Sequence, residues 1–263
     1  GSRSTAIGYG ALNEQNFTTA TETYNTAVGY NSGNRITTGN NNTFIGANAG
    51  DAFTDADRNT AVGRAALTTD TLGSRSVAVG YGVLQNQNLT TATNVYNVAV
   101  GYDAGASVTT GVNNTLLGGI SGDALTTGSE NVAVGRSALG ADTLGSHAVA
   151  IGFQALAVQN FTTATENYNV AVGYNAGLAV TTGLYNTLIG GIAGDALTDA
   201  DANVAIGYNS LGADTRGSLS VAVGTNALAA QNFTTATNSY NVAVGHNAGN
   251  DVTTGVQNVL IGG

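Results

Sequence analysis

The chain has no cysteine, methionine, tryptophan or proline. Without cysteine, neither a disulfide nor a thiolate metal site can form. Charge is scarce as well. Only 9% of the 263 residues are Asp, Glu, Lys or Arg, against about 25% in an ordinary globular domain. The surface must therefore be wetted mainly by Asn, Thr, Ser and backbone. Seven basic residues stand against sixteen acidic ones, giving a formal net charge of −9. Such a chain offers no basic patch for a phosphate backbone, so no nucleic-acid partner is expected. No apolar run approaches the roughly 20 residues of a membrane-crossing helix, so no membrane span is expected in this segment. No signal peptide is recognisable, and an anchor or export signal would lie outside the segment.

Glycine is abundant and strictly placed. One glycine recurs at Gly8, Gly29, Gly46, Gly63, Gly80, Gly101, Gly118, Gly135, Gly152, Gly173, Gly190, Gly207, Gly224, Gly245 and Gly262. One long step, from Gly8 to Gly29, is followed by three equal shorter ones, and this pattern of four steps then repeats as a superrepeat. The units run over 1–72, 73–144, 145–216 and 217–263, the last one partial, and 1–263 reads as a single repetitive segment. The opening GSRS returns at 73–76 and the last unit stops partway, so the chain reads as part of a longer one. Repeats this short cannot each bury a core alone and must stack on their neighbours.

Each recurrent glycine closes the same short pattern. The residue before it is β-branched in fourteen of fifteen cases, and the residue three before it is Thr or Val. β-Branched residues at alternate positions signal a strand. The predicted fold is all-β, a parallel β-solenoid or β-roll of about fifteen rungs, one for each recurrent glycine. At about 4.8 Å per rung, those rungs would make a rod of very roughly 70 Å. The β-branched positions are expected to form the ladder inside the coil. The residue two before the glycine then points outward. It is Ala in eleven rungs, including Ala27, Ala99, Ala171 and Ala243, and Phe44, Leu116, Leu188 or Leu260 in the other four. An outward stripe of this kind is an apolar patch that a second copy of the chain would cover. A sheet packed inside one wide coil is the alternative. Four residues before the glycine stands Asn in eleven rungs. Its amide suits a turn and can bond from rung to rung.

The strings NTAVG, SVAVG, NVAIG and AVAIG resemble the head repeat of trimeric autotransporter adhesins, and the likeness covers all fifteen rungs. It extends to the repeats of phage tail-fibre and other surface-fibre proteins. The resemblance implies a left-handed parallel β-roll, a homotrimer and attachment at a cell or virion surface. Both kinds of step in this chain are longer than the rung of that family, which is its departure from the family pattern.

The extra residues of each long step fall in a periodic loop. It carries Phe17 and Tyr24, Leu89 and Tyr96, Phe161 and Tyr168, and Phe233 and Tyr240. The loop reads either as a contact surface for a receptor or as a cover that tucks its aromatic over the coil, with the cover favoured.

Chemistry-bearing candidates are few. Asp51, Asp55 and Asp57, and again Asp195, Asp199 and Asp201, cluster at a spacing that could hold Ca²⁺. The second unit keeps only Asp123, so they are read first as solvated turn aspartates, and no metal or cofactor is expected. His147 and His246 have no periodic Ser, Cys or Asp partner, so no catalytic triad is supported and the chain is read as a non-enzyme. Recurrent Thr pairs such as Thr37–Thr38 and Thr109–Thr110 raise an ice-binding face as a minor alternative. The expected function is an extracellular structural or adhesive fibre segment. It would associate with itself as a homotrimer and present loops to a cell-surface or matrix ligand. A self-polymerising filament without a receptor is the alternative.

Overall fold

A computed structural model describes all residues, 1–263. It contains no helix, and every strand is two or three residues long. The residues form two compact units, Gly1–Glu130 and Asn131–Gly263. Both are parallel β-solenoids.

In the first unit seven three-residue strands stack: Thr5–Ile7, Thr26–Val28, Thr43–Ile45, Thr60–Val62, Val77–Val79, Val98–Val100 and Thr115–Leu117. In the second unit the strands are Val132–Val134, Val149–Ile151, Val170–Val172, Thr187–Ile189, Val204–Ile206, Val221–Val223, Val242–Val244 and Val259–Ile261. Their register is fixed by the repeat. Ala27 pairs with Phe44 and Phe44 with Ala61, and Ala171 pairs with Leu188 and Leu188 with Ala205. Each rung has one such strand, and the rest of it is turns. A second, two-residue strand appears beside the long steps, as Gly73–Ser74 with Thr93–Asn94 and Gly145–Ser146 with Thr165–Glu166.

The strand alternation is as expected, but the faces are reversed. Ala27, Phe44, Ala99, Leu116, Ala171, Leu188 and Ala243 have no exposed surface at all. Leu260, on the last rung, is half-buried. The expected outward stripe is therefore the inside of the coil, and the β-branched columns face out. The reason is volume. The coil is so thin that the opposite wall nearly touches the strand. In six of the rungs whose inner residue is Ala, the facing turn supplies Leu67, Leu84, Leu139, Leu156, Leu211 or Leu228, each fully buried. Where the inner residue is large, the facing turn is glycine. A Cβ on Gly33 would come within 2.6 Å of the Phe44 ring, and one on Gly105 within 2.6 Å of Leu116. Phe44, Leu116 and Leu188 each fill the space beside two successive turn glycines, so large side chains meet small ones as close packing requires. A branched Val or Ile in that column on every rung would overfill the space.

The Asn column is also internal. Asn25 accepts the Asn42 backbone N–H at 2.9 Å through Oδ1 and donates to the Gly39 carbonyl at 2.8 Å through Nδ2. Asn42 and Asn169 repeat the arrangement one rung and several rungs on. These amides satisfy backbone groups that water cannot reach.

Candidate interaction surface

A three-residue strand with its middle residue inside has both flanking residues outside. The outer face of each unit therefore carries two columns, Thr or Val and then Val, Ile or Leu. Ile45, Val100, Ile151, Ile189, Ile206 and Val244 are each 37–40% exposed. No charged residue stands in either column. With strands about 4.8 Å apart and a face about 10 Å wide, this uncharged surface of Val, Ile, Leu and Thr is about 350 Å² in each unit. Each patch alone is as large as the largest patch on many monomers, about 300–600 Å².

Past the sheet glycine the chain turns a corner into a third outer column, and this one is aromatic. Tyr9 stacks on Tyr30 at 5.7 Å, Tyr81 on Tyr102 at 5.5 Å and Phe153 on Tyr174 at 5.6 Å. Arg64 lies over Tyr81 at 5.4 Å and Arg136 over Phe153 at 5.8 Å. A second aromatic column runs along the corner that precedes the Asn ladder. It holds Tyr24, Tyr96, Tyr168 and Tyr240, all exposed and all with φ of 50–55°. Arg3 donates to the Tyr24 hydroxyl at 2.7 Å and Arg75 to that of Tyr96 at 3.1 Å. His147 stacks on Tyr168 at 4.9 Å. His246 stands in the third column, exposed beside Asn247.

The periodic loop divides into an inside and an outside. Leu89, Phe161 and Phe233 are only 5–6% exposed, and Phe17 is half-buried. These four fill the coil and present no ring to a partner. What the loop shows to solvent is the Thr-Thr-Ala segment at Thr90, Thr162 and Thr234 together with Tyr24, Tyr96, Tyr168 and Tyr240.

A buried polar network accompanies the loop. Asp142 has no exposed surface. It accepts from Gln159 at 2.7 Å and from the Gly145 and Phe161 backbone N–H groups at 3.0 and 3.3 Å. Gln159 in turn accepts from Asn169 at 2.8 Å. Asp70 with Gln87 and Asp214 with Gln231 repeat the pair one superrepeat before and after. The sequence patterns singled out above do not include these aspartates. The signal was present: an Asp three residues before each Gly-Ser pair, and a Gln two residues before each Phe or Leu of the loop, recur once per superrepeat.

Burial raises the Asp142 carboxyl above the ordinary carboxylate range, with its hydrogen bonds opposing the shift. Burial also raises Asp51, Asp123 and Asp195. In each, the folded state holds its proton to a higher pH than the unfolded state does. That contribution to stability is complete below about pH 4, the unfolded aspartate value, and is lost as pH rises through the folded value. The shifts of these four aspartates therefore favour a higher melting temperature at pH 4 than at pH 7. Asp142→Asn keeps the shape and should reduce the pH dependence by removing one of the four contributions. Thermal scans across this range check it, and a fall in melting temperature toward pH 4 would contradict it.

The candidate calcium aspartates are dispersed. Asp51 accepts from the Thr68 hydroxyl at 2.6 Å, Asp57 from the Asn40 N–H at 2.8 Å and Asp201 from the Leu184 N–H at 2.8 Å. Asp199 pairs with Arg216 at 3.1 Å, and Asp55 is exposed. No three acidic or histidine side chains converge as a metal site would require. The first threonine of three recurrent pairs has its hydroxyl engaged. Thr37 donates to the Thr54 carbonyl, Thr109 to that of Thr126 and Thr181 to that of Thr198, at 3.1–3.2 Å. No helix of the chain is long and apolar enough to cross a membrane. No family model, curated protein or solved structure matches the chain.

Proposed function

We propose that the chain is a structural segment of an extracellular fibre, a solenoid that assembles with further copies of itself and is not a catalyst. The outward Val/Ile face carries this reading. The face is continuous over all the rungs of each unit and carries no charge. The partner with a matching flat face and a matching rung spacing is a second copy of the same chain. Homotrimeric association at a cell or virion surface, with the periodic loops toward a surface ligand, is the arrangement that the adhesin-like repeat adds. A self-polymerising filament uses the same face. An ice-binding role has less support, because one threonine in each of three recurrent pairs already donates its hydroxyl to a backbone carbonyl.

The test is the native mass by light scattering, for the parent chain and for Val172→Asp with Ile206→Asp. A discrete oligomer that becomes monomer in the variant, with β content and melting temperature held, supports the proposal. Filaments in negative stain would favour the polymerising form. A monomeric parent chain would contradict it.

A further inference from the structure

The aromatic column past the sheet glycine is regularly interrupted. After each stacked pair, the next rung has almost no side chain in that place: Ala47 after Tyr30, Gly119 after Tyr102 and Gly191 after Tyr174. One face of Tyr30, Tyr102 and Tyr174 is covered by its partner ring, at 5.5–5.7 Å. The other face opens over the small residue. A Cβ placed on Gly119 would meet no atom within 4 Å. In the second unit the notch has a roof. Tyr208, two rungs from Tyr174, leans over Gly191, with a ring carbon 3.4 Å from where a Cβ would stand. Tyr174 and Tyr208 are 59% and 58% exposed.

We propose that these notches bind the pyranose rings of neutral saccharides. Two rungs separate the flanking side chains by about 10 Å. A flat aromatic ring, held at about 3.5–4 Å from each neighbour, fills only about 7–8 Å of that height. A puckered pyranose is thicker, because axial hydrogens project from both faces, and it fills the notch. Its C–H groups carry partial positive charge and meet the negative face of the tyrosine ring. Asn48, Asn175 and Asn209 adjoin the notches in sequence and bring uncharged amide groups suited to sugar hydroxyls. The Gly191 notch has tyrosine on both sides, and an aromatic lining with a few polar groups is the usual make-up of a small-ligand site. An anionic ligand fits poorly on a chain of net charge −9. The notches lie past the corner from the Val/Ile face, so this binding stands apart from self-association.

Cellohexaose and maltoheptaose serve as probes. The chain has no tryptophan, so its emission comes from eleven tyrosines, of which Tyr30, Tyr102, Tyr174 and Tyr208 adjoin the notches. The expected result is a saturable emission change with a millimolar dissociation constant for at least one probe. The triple variant Ala47→Tyr, Gly119→Tyr and Gly191→Tyr fills the column with the residue that other rungs already carry there. It should abolish the response and leave native mass and melting temperature unchanged. No response to either probe up to about 10 mM, or undiminished binding by the triple variant, would overturn the proposal. A changed native mass in that variant would also overturn it, because the notch would then hold a second copy of the chain.

Discussion

Gly46→Ala should lower stability by about 4 kcal/mol, a fall of roughly 10 °C in melting temperature for a chain of this size. Two effects act together. Gly46 has φ of 130°, a region that essentially only glycine enters. A Cβ there would also stand 2.5 Å from the Gly63 carbonyl oxygen and 2.6 Å from its carbon. Both are backbone atoms of the next rung, so the added methyl cannot be accommodated without opening the ladder. Gly119→Ala is the control. Gly119 has no positive φ, and the added methyl meets nothing. It should change stability by less than about 0.5 kcal/mol. Thermal unfolding of the two variants checks the pair, and similar losses in both would show that the sheet glycine is not a close-approach position.

Leu188→Glu should unfold the second unit, with a loss of about 5 kcal/mol or more. Leu188 has no exposed surface. Its methyl groups fill the space left by Gly177 and Gly194, where a Cβ would approach them to 2.7–2.8 Å. A carboxylate there has no cationic partner, and the surrounding wall is apolar. Leu188→Ala keeps the column free of polar groups and should cost about 3 kcal/mol through the cavity alone. Circular dichroism at neutral pH separates the cases. A folded Leu188→Glu chain that has merely lost its partners would place this residue on the outside and contradict the packing described above.

The all-β solenoid, its rung lengths and its register were legible because one glycine and one asparagine recur at fixed positions. Which residues share a face was legible too, since strand side chains alternate. Which face is inside was not. β-Branched residues favour strands on either face, so Val172 and Ile189 gave no direction. The direction is set by the match of Phe44 with Gly33 and Gly50, and of Leu116 with Gly105 and Gly122, across a thin coil. Those pairs are brought together only when the turn is folded. The loop aromatics Phe161 and Phe233 stand out in the sequence, with a cover over the coil as the favoured reading, whereas the buried Asp142 and Asp214 beneath them do not. An aspartate in a turn normally reads as solvated, and only its stacking above Gln159 or Gln231 makes it internal.

The central claim is that the Ala/Leu column lies inside and the Val/Ile column outside. Because the chain has no cysteine, a single introduced thiol reports on each position separately. The measurement is the maleimide labelling rate of Ala171→Cys and Val172→Cys, in folded protein diluted until its mass is that of a monomer. The structure predicts rapid labelling at 172 and labelling at 171 only after denaturation. Faster labelling at 171 than at 172 would contradict it.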